Sequence, residues 1–168
     1  GVPCYSISIA LMRENKLQLG VIFEINLKEC FYAWEGGGAF LNGSAIRVSK
    51  IPQIKNSLLA TGFPYYDYSR LDGYMNLFIH FLKYSHGLRR MGSAAVDLAY
   101  VACGRFDGFY EYGLSPWDVA AGAMIVKCAG GDVSDFSGGK NFIFGKEIAA
   151  SSGKIHKELV KTVKKFIF

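Results

Sequence analysis

The chain has 168 residues, 51% hydrophobic and 15% aromatic, which is enough apolar surface for one sizeable core. No apolar run approaches the ~20 residues that span a bilayer, and no charged segment leads into an apolar one as in a secretory signal; the composition excludes a membrane span and predicts a cytoplasmic protein. Of the net charge of +5, a balance of +4 comes from Lys154, Lys157, Lys161, Lys164 and Lys165 against Glu158, on a segment whose Ile155, Leu159, Val163 and Phe166 form a buried stripe; it reads as the wet face of a terminal helix and argues against a nucleic-acid partner.

In chain order, Ser6, Ser8 and Ala10 alternate with Ile7, Ile9 and Leu11, the period of a strand. Polar residues 13–16 then turn the chain into a second apolar run over 17–25, which predicts an antiparallel hairpin. Residues 30–34 predict a third strand, Gly36-Gly37-Gly38 a bend, and Asn42-Gly43 a tight turn ahead of a strand at 46–48. The triple glycine has neither phosphate-loop spacing and precedes no helix signal.

From Ser57 the pattern changes to strands alternating with helices. Residues 57–61 predict a short strand ended by Gly62-Phe63-Pro64, and the tyrosine-rich 65–68 a surface loop. Leu71, Tyr74, Met75, Phe78, Phe81 and Leu82 mark one helical face. A strand at 88–90 leads to Gly92-Ser93, which opens a second apolar helix that Gly104 closes. Residues 106–110 form a strand ending at Glu111. Ser115 then serves as N-cap, Pro116 as first helical residue and Asp118 as the third position of a capping box. An acid there suits the helix dipole and equally suits a metal ion, and local sequence leaves both roles open. Between Val119 and Ala129 only Lys127 is charged, so this helix is buried between layers. Strands near 132–136 and 148–151 precede the lysine-bearing helix. Cys4, Cys30, Cys103 and Cys128 are widely spaced without a C-x-x-C pattern and read as reduced core thiols.

The change of pattern predicts an α/β fold in two layers, an antiparallel sheet followed by a mixed α/β sheet with flanking helices. Ligands of such sheets gather at the carboxyl ends of strands. Ser93, Glu111 and Asp118 all fall at strand-to-helix junctions, although each also has a purely structural role as cap or strand-end acid.

Trp117-Asp118-Val119-Ala120-Ala121-Gly122 with Ala129-Gly130-Gly131 resembles the carboxy-terminal signature of the inositol monophosphatase family, Mg²⁺-dependent and lithium-sensitive phosphatases. Gly38-Ala39-Phe40-Leu41-Asn42-Gly43, Gly92-Ser93-Ala94-Ala95, Tyr100-Val101-Ala102-Cys103-Gly104-Arg105 and Asp107-Gly108-Phe109-Tyr110-Glu111 also resemble blocks of that family, in order. The resemblance implies a layered sugar-phosphatase fold, Mg²⁺ as cofactor and hydrolysis of a phosphomonoester such as inositol 1-phosphate by metal-activated water, without a phosphoenzyme. It implies that Asp118 is a metal ligand and catalytic, and that Glu111 with Gly92, Ser93 and Ala94 contacts ring hydroxyls. The expected partners are a small phosphorylated polyol or sugar and a second copy in a homodimer.

Two departures stand out. Cys128 replaces the Glu that usually precedes Ala-Gly-Gly, and the family's first signature, Asp-Pro-[Ile/Leu]-Asp-Gly-Thr, does not occur. With a start at Gly1-Val2-Pro3-Cys4, this predicts a carboxy-terminal portion whose amino-terminal part is missing. Residues 1–52 would be the remainder of the first, antiparallel layer and 53–168 the carboxy-terminal α/β layer, together one compact unit. Such a piece is expected to have little activity alone and, with apolar surface uncovered around Ile7, Ile9, Val21 and Phe23, to aggregate, dimerise or depend on a complementary chain. The alternatives are a related phosphatase for fructose 1,6-bisphosphate, histidinol phosphate or 3′-phosphoadenosine 5′-phosphate, and a non-catalytic regulatory or binding module.

Overall fold

The structure is a computed structural model that describes residues 3–168; Gly1 and Val2, the start of the expected truncated terminus, lie outside the described residues. Strands β1 (Ser6–Arg13) and β2 (Lys16–Glu24) form the predicted hairpin. Its two turn residues, Glu14 and Asn15, both have positive φ (51° and 59°), the twist that a two-residue hairpin loop requires. Strand β3 (Glu29–Trp34) follows, then β4 (Gly38–Leu41) and the short β5 (Ser44–Ala45), joined by Asn42 and Gly43 at φ 47° and 86°. These five strands make an antiparallel sheet in the order β1-β2-β3-β4-β5. The strand expected at 46–48 does not form: β5 ends at Ala45, one further bond runs from the Ile46 N–H to the Ala39 carbonyl at 2.9 Å, and the Val48 N–H donates to the Ala129 carbonyl at 3.2 Å.

The second sheet contains β6 (Leu58–Thr61), β7 (Gly87–Arg89), β8 (Gly108–Tyr112), β9 (Gly131–Ser134) and β10 (Glu147–Ser152), in the order β7-β6-β8-β10-β9. β6 is parallel to both β7 and β8, while β10 is antiparallel to β8 and β9. Four α-helices complete the described residues: α1 (Leu71–Tyr84), α2 (Ala94–Ala102), α3 (Pro116–Cys128) and α4 (His156–Ile167). None is long and apolar enough to cross a membrane.

Helices α2 and α3 lie between the sheets. One core joins their side chains to Ile22, Phe31 and Ala33 of the first sheet and to Phe109, Ile148 and Ala150 of the second. A second core, on the far face of the second sheet, packs Leu59, Tyr110 and Ala149 against Tyr74, Leu77 and Phe81 of α1 and Leu159 and Val163 of α4. Helix α1 is rotated from the expected face: Met75 and Leu82 are exposed, and Tyr74, Leu77 and Phe81 are fully buried. The cause is polar, because the Tyr74 hydroxyl is 2.6 Å from Thr61 Oγ1 and also donates to the Gly62 carbonyl, which fixes the helix about that residue.

The expectation that the amino-terminal part of the fold is missing is corrected. β1 pairs along its whole length with β2, and the first sheet's inner face is packed on α2 and α3, so the described residues form both layers. The outer face of that sheet carries Ile7, Ile9 and Leu11, each more than half exposed. All four cysteines are free.

Two glycines set the layer spacing. A Cβ on Gly20 of β2 would lie 2.6 Å from the Ala121 carbonyl oxygen of α3, and one on Gly122 would lie 2.5 Å from Leu98 Cβ of α2. Backbone cannot retreat as a flexible side chain can. Gly20→Ala is therefore expected to lower unfolding free energy by about 1–3 kcal/mol, read from the urea midpoint, because an overpacked methyl must push the sheet off the helix.

Candidate active site

The cleft of interest, about 450 Å³, opens where β6, β7 and β8 end and α2 and α3 begin. Parallel strands aim their carboxyl ends at one edge, and the following helices present their amino ends there, so unpaired N–H groups and partial positive charge collect at the same place. Gly92, Ser93, Ala94, Glu111 and Asp118 all line this cleft, so the structure brings together every residue singled out from sequence.

Asp118 stands in the first turn of α3. The capping box forms, with Asp118 Oδ2 accepting the Ser115 N–H at 2.9 Å. Capping occupies one carboxylate oxygen and leaves the other for the cleft, so the two roles left open by sequence are compatible. The N-terminus of α3 is held to the first sheet by the Ser8 hydroxyl, which donates to the Trp117 carbonyl at 2.9 Å.

Ser93 is the N-cap of α2, its Oγ accepting the Val96 N–H at 3.4 Å. Gly92 before it has φ 103°, a conformation that favours glycine and turns the chain from β7 into the helix. Glu111 is the penultimate residue of β8 and is 7% exposed. Its carboxyl rests against the backbone of Gly62, just beyond β6, in space that a Cβ there would fill.

A residue passed over in the sequence also lines the cleft. Asp97 of α2 is 1% exposed, and its Oδ1 has no hydrogen-bond partner among the described residues. The available signal was a single acid within the otherwise uncharged run Ala94–Ala102. Burial pushes the Asp97 carboxyl up to about 8, opposed by Arg90. Burial likewise pushes Glu111 up to about 8, with the Asp97 charge adding to it, Arg90 opposing and Asp118 adding further. Arg90 also donates to the Tyr65 hydroxyl at 3.0 Å, which ties the tyrosine-rich loop to the rim.

Among the described residues no group of three or more His, Cys, Asp or Glu side chains is arranged to hold a metal ion. The donor chemistry nevertheless suits a hard cation at one point, the Asp118 oxygen not used in capping. An ion there would take its remaining oxygens from sources beyond this carboxylate, such as water and substrate phosphate.

Carboxylates and two helix amino ends thus surround one cleft in a layered α/β fold. A model of the inositol monophosphatase family matches residues 1–167, and the chain belongs to that family. It is 44% identical over 165 residues to the Nus factor SuhB of Pseudomonas aeruginosa, covering 97% of this chain and 61% of that protein. It is 38% identical to the inositol-1-monophosphatase of Mesorhizobium japonicum, covering 98% and 62%. Among solved structures, the extragenic suppressor protein suhB of Bartonella henselae superposes with a TM-score of 0.92 at 39% identity, over 97% of this chain and 62% of that one. The family match runs through both sheets, residues 1–167, which corrects the reading of the chain as only the carboxy-terminal portion of the fold. The chain spans 61% and 62% of the length of the two curated relatives just described.

The raised carboxyls make stability depend on pH. As pH rises from the ordinary 4.5 of a glutamate to about 8, the unfolded chain has released a proton that folded Glu111 still holds, so stability falls across that window and levels off above it. Urea unfolding in EDTA between those limits should show this loss. Glu111→Gln and Asp97→Asn should each flatten it, and an unchanged slope in both would contradict the assignment.

Proposed function

We propose that the protein is a Mg²⁺-dependent phosphomonoesterase for a small phosphorylated polyol or sugar, with inositol 1-phosphate as the representative substrate and lithium as an inhibitor. The observation that carries the reading is the convergence of Asp118, Glu111 and the Gly92-Ser93-Ala94 turn on one cleft, in a chain that belongs to the inositol monophosphatase family over residues 1–167.

Each residue has a task that its position supports. The amino end of α2 offers backbone N–H groups of Ser93 and Ala94 to ligand oxygens, with the Ser93 side chain already committed to capping. Glu111, held against Gly62, accepts or shares a proton with a ring hydroxyl. Asp118 supplies one hard oxygen to the cation and is kept in place by Ser115. When bound, Mg²⁺ would orient the phosphate, offset charge on the leaving oxygen and lower the pKa of the attacking water.

Asp118→Asn keeps the hydrogen bond to Ser115 through the amide oxygen but removes the charge that a cation needs. Phosphate release from inositol 1-phosphate with Mg²⁺ is expected to fall about 100-fold or more with little change in melting temperature. An undiminished rate would overturn the assignment. Fructose 1,6-bisphosphate and histidinol phosphate are sibling substrates, and kcat/KM across such a panel ranks them.

A homodimer and a cytoplasmic setting belong to the same proposal. The exposed Ile7, Ile9 and Leu11 offer apolar surface for self-association, and four free cysteines suit a reducing compartment. Sedimentation velocity at micromolar protein should give a dimer, with Ile9→Lys shifting it to monomer; a wild type that stays monomeric would remove this part of the reading. A second reading, a regulatory binding module, draws on the naming of the 44% identical relative as a Nus factor. It would be favoured if the wild-type protein hydrolysed no phosphomonoester at all.

A further inference from the structure

Asp97 has no part in the roles assigned so far, yet its position is hard to explain as packing. It sits on α2 one turn beyond Ser93, with its backbone N–H donating to the Ser93 carbonyl at 2.9 Å, so the helix fixes where its side chain points. That side chain faces the cleft beside Glu111, is 1% exposed, and leaves Oδ1 without a partner among the described residues. A buried carboxyl normally satisfies its oxygens within the fold, because desolvation without a hydrogen bond is unfavourable. Asp107 shows the contrast: also buried, it is engaged by the Ser49 hydroxyl and by the Leu58 N–H at 2.7 Å. The place of Asp97 in the first turn of α2 suits the helix dipole, but an exposed acid would serve the dipole without the cost of burial.

We infer that Asp97 is a second hydroxyl-reading carboxyl of the cleft, which together with Glu111 holds two neighbouring hydroxyls of the ligand and so selects polyol phosphates over phosphomonoesters without ring hydroxyls. Two carboxyls reaching one cleft from different elements, α2 and β8, provide acceptors at two points, as a vicinal diol demands. Each hydroxyl donates to a carboxylate or accepts from a carboxylic acid, so the pairing works in either protonation state. Arg90, a cation that faces both groups, offsets part of their negative charge.

The inference rests on the proposed phosphatase reading and is tested separately from it. Wild type, Asp97→Asn and Asp97→Ala are compared on inositol 1-phosphate and on cyclohexyl phosphate, which has the ring without its hydroxyls. Asp97→Ala is expected to lower kcat/KM for inositol 1-phosphate about tenfold or more, mainly through KM, and to leave cyclohexyl phosphate within about twofold; Asp97→Asn, which still offers a hydrogen-bonding group, should fall between. Equal losses on both esters would overturn the inference. A purely structural Asp97 would instead lower the melting temperature of both variants without changing the ratio between the esters. If wild type hydrolyses neither ester the phosphatase reading fails, and binding of myo-inositol against cyclohexanol, followed by ligand-observed NMR, still decides. Binding of myo-inositol that Asp97→Ala abolishes supports the inference, while no binding by wild type, or binding that the variant retains, overturns it.

Discussion

The close seating of α3 between two sheets is the constraint on which the rest of the structure depends. The helix is buried without interruption from Val119 to Val126, a length that no single apolar stripe could cover. It therefore needs neighbours on every side: Gly20 lets β2 approach the backbone of α3, and Gly122 makes room for the Leu98 side chain of α2. Once α3 is fixed, its amino end cannot move relative to the strand ends of the second sheet. The chemistry of the cleft inherits its rigidity from that packing.

The cleft itself combines two opposing electrostatic tendencies. Helix amino ends and Arg90 bring positive potential, suited to phosphate, while Asp97, Glu111 and Asp118 bring carboxyls, suited to hydroxyls and a cation. The two are interleaved: Arg90 faces Asp97 and Glu111, and Asp97 and Asp118 stand in the first turns of α2 and α3. Burial raises the pKa of the two deeper carboxyls, whereas Asp118 sits nearer the mouth and is partly exposed. Depth thus places three similar side chains in different surroundings, in line with the different roles proposed for them.

Much of this was readable in the sequence where the signal is local. The hairpin around Glu14-Asn15, the turn at Asn42-Gly43 and the capping box of Ser115 and Asp118 each depend on residues within a few positions of one another, and each forms. The strand at 46–48 failed because its backbone found a partner at the end of α3, more than 80 positions away. The face of α1 was misjudged for a related reason. The apolar face of that helix is wider than the part that is buried, and the Tyr74 hydroxyl's bond to Thr61 decides which of its residues turn inward.

The sequence by itself determined the first hairpin, the cap that opens α3, that α3 must be buried, and that Ser93, Glu111 and Asp118 fall at element junctions, because capping, turn geometry and hydrophobic period act over short stretches of chain. Only the tertiary structure decided that those junctions share one cleft and that Gly62 makes room for Glu111. It also decided that Asp97, an unremarked acid in an apolar helix, faces the same space. Such placements arise from packing between distant segments, and the desolvation that gives a buried carboxyl its character exists only after the layers have closed around it.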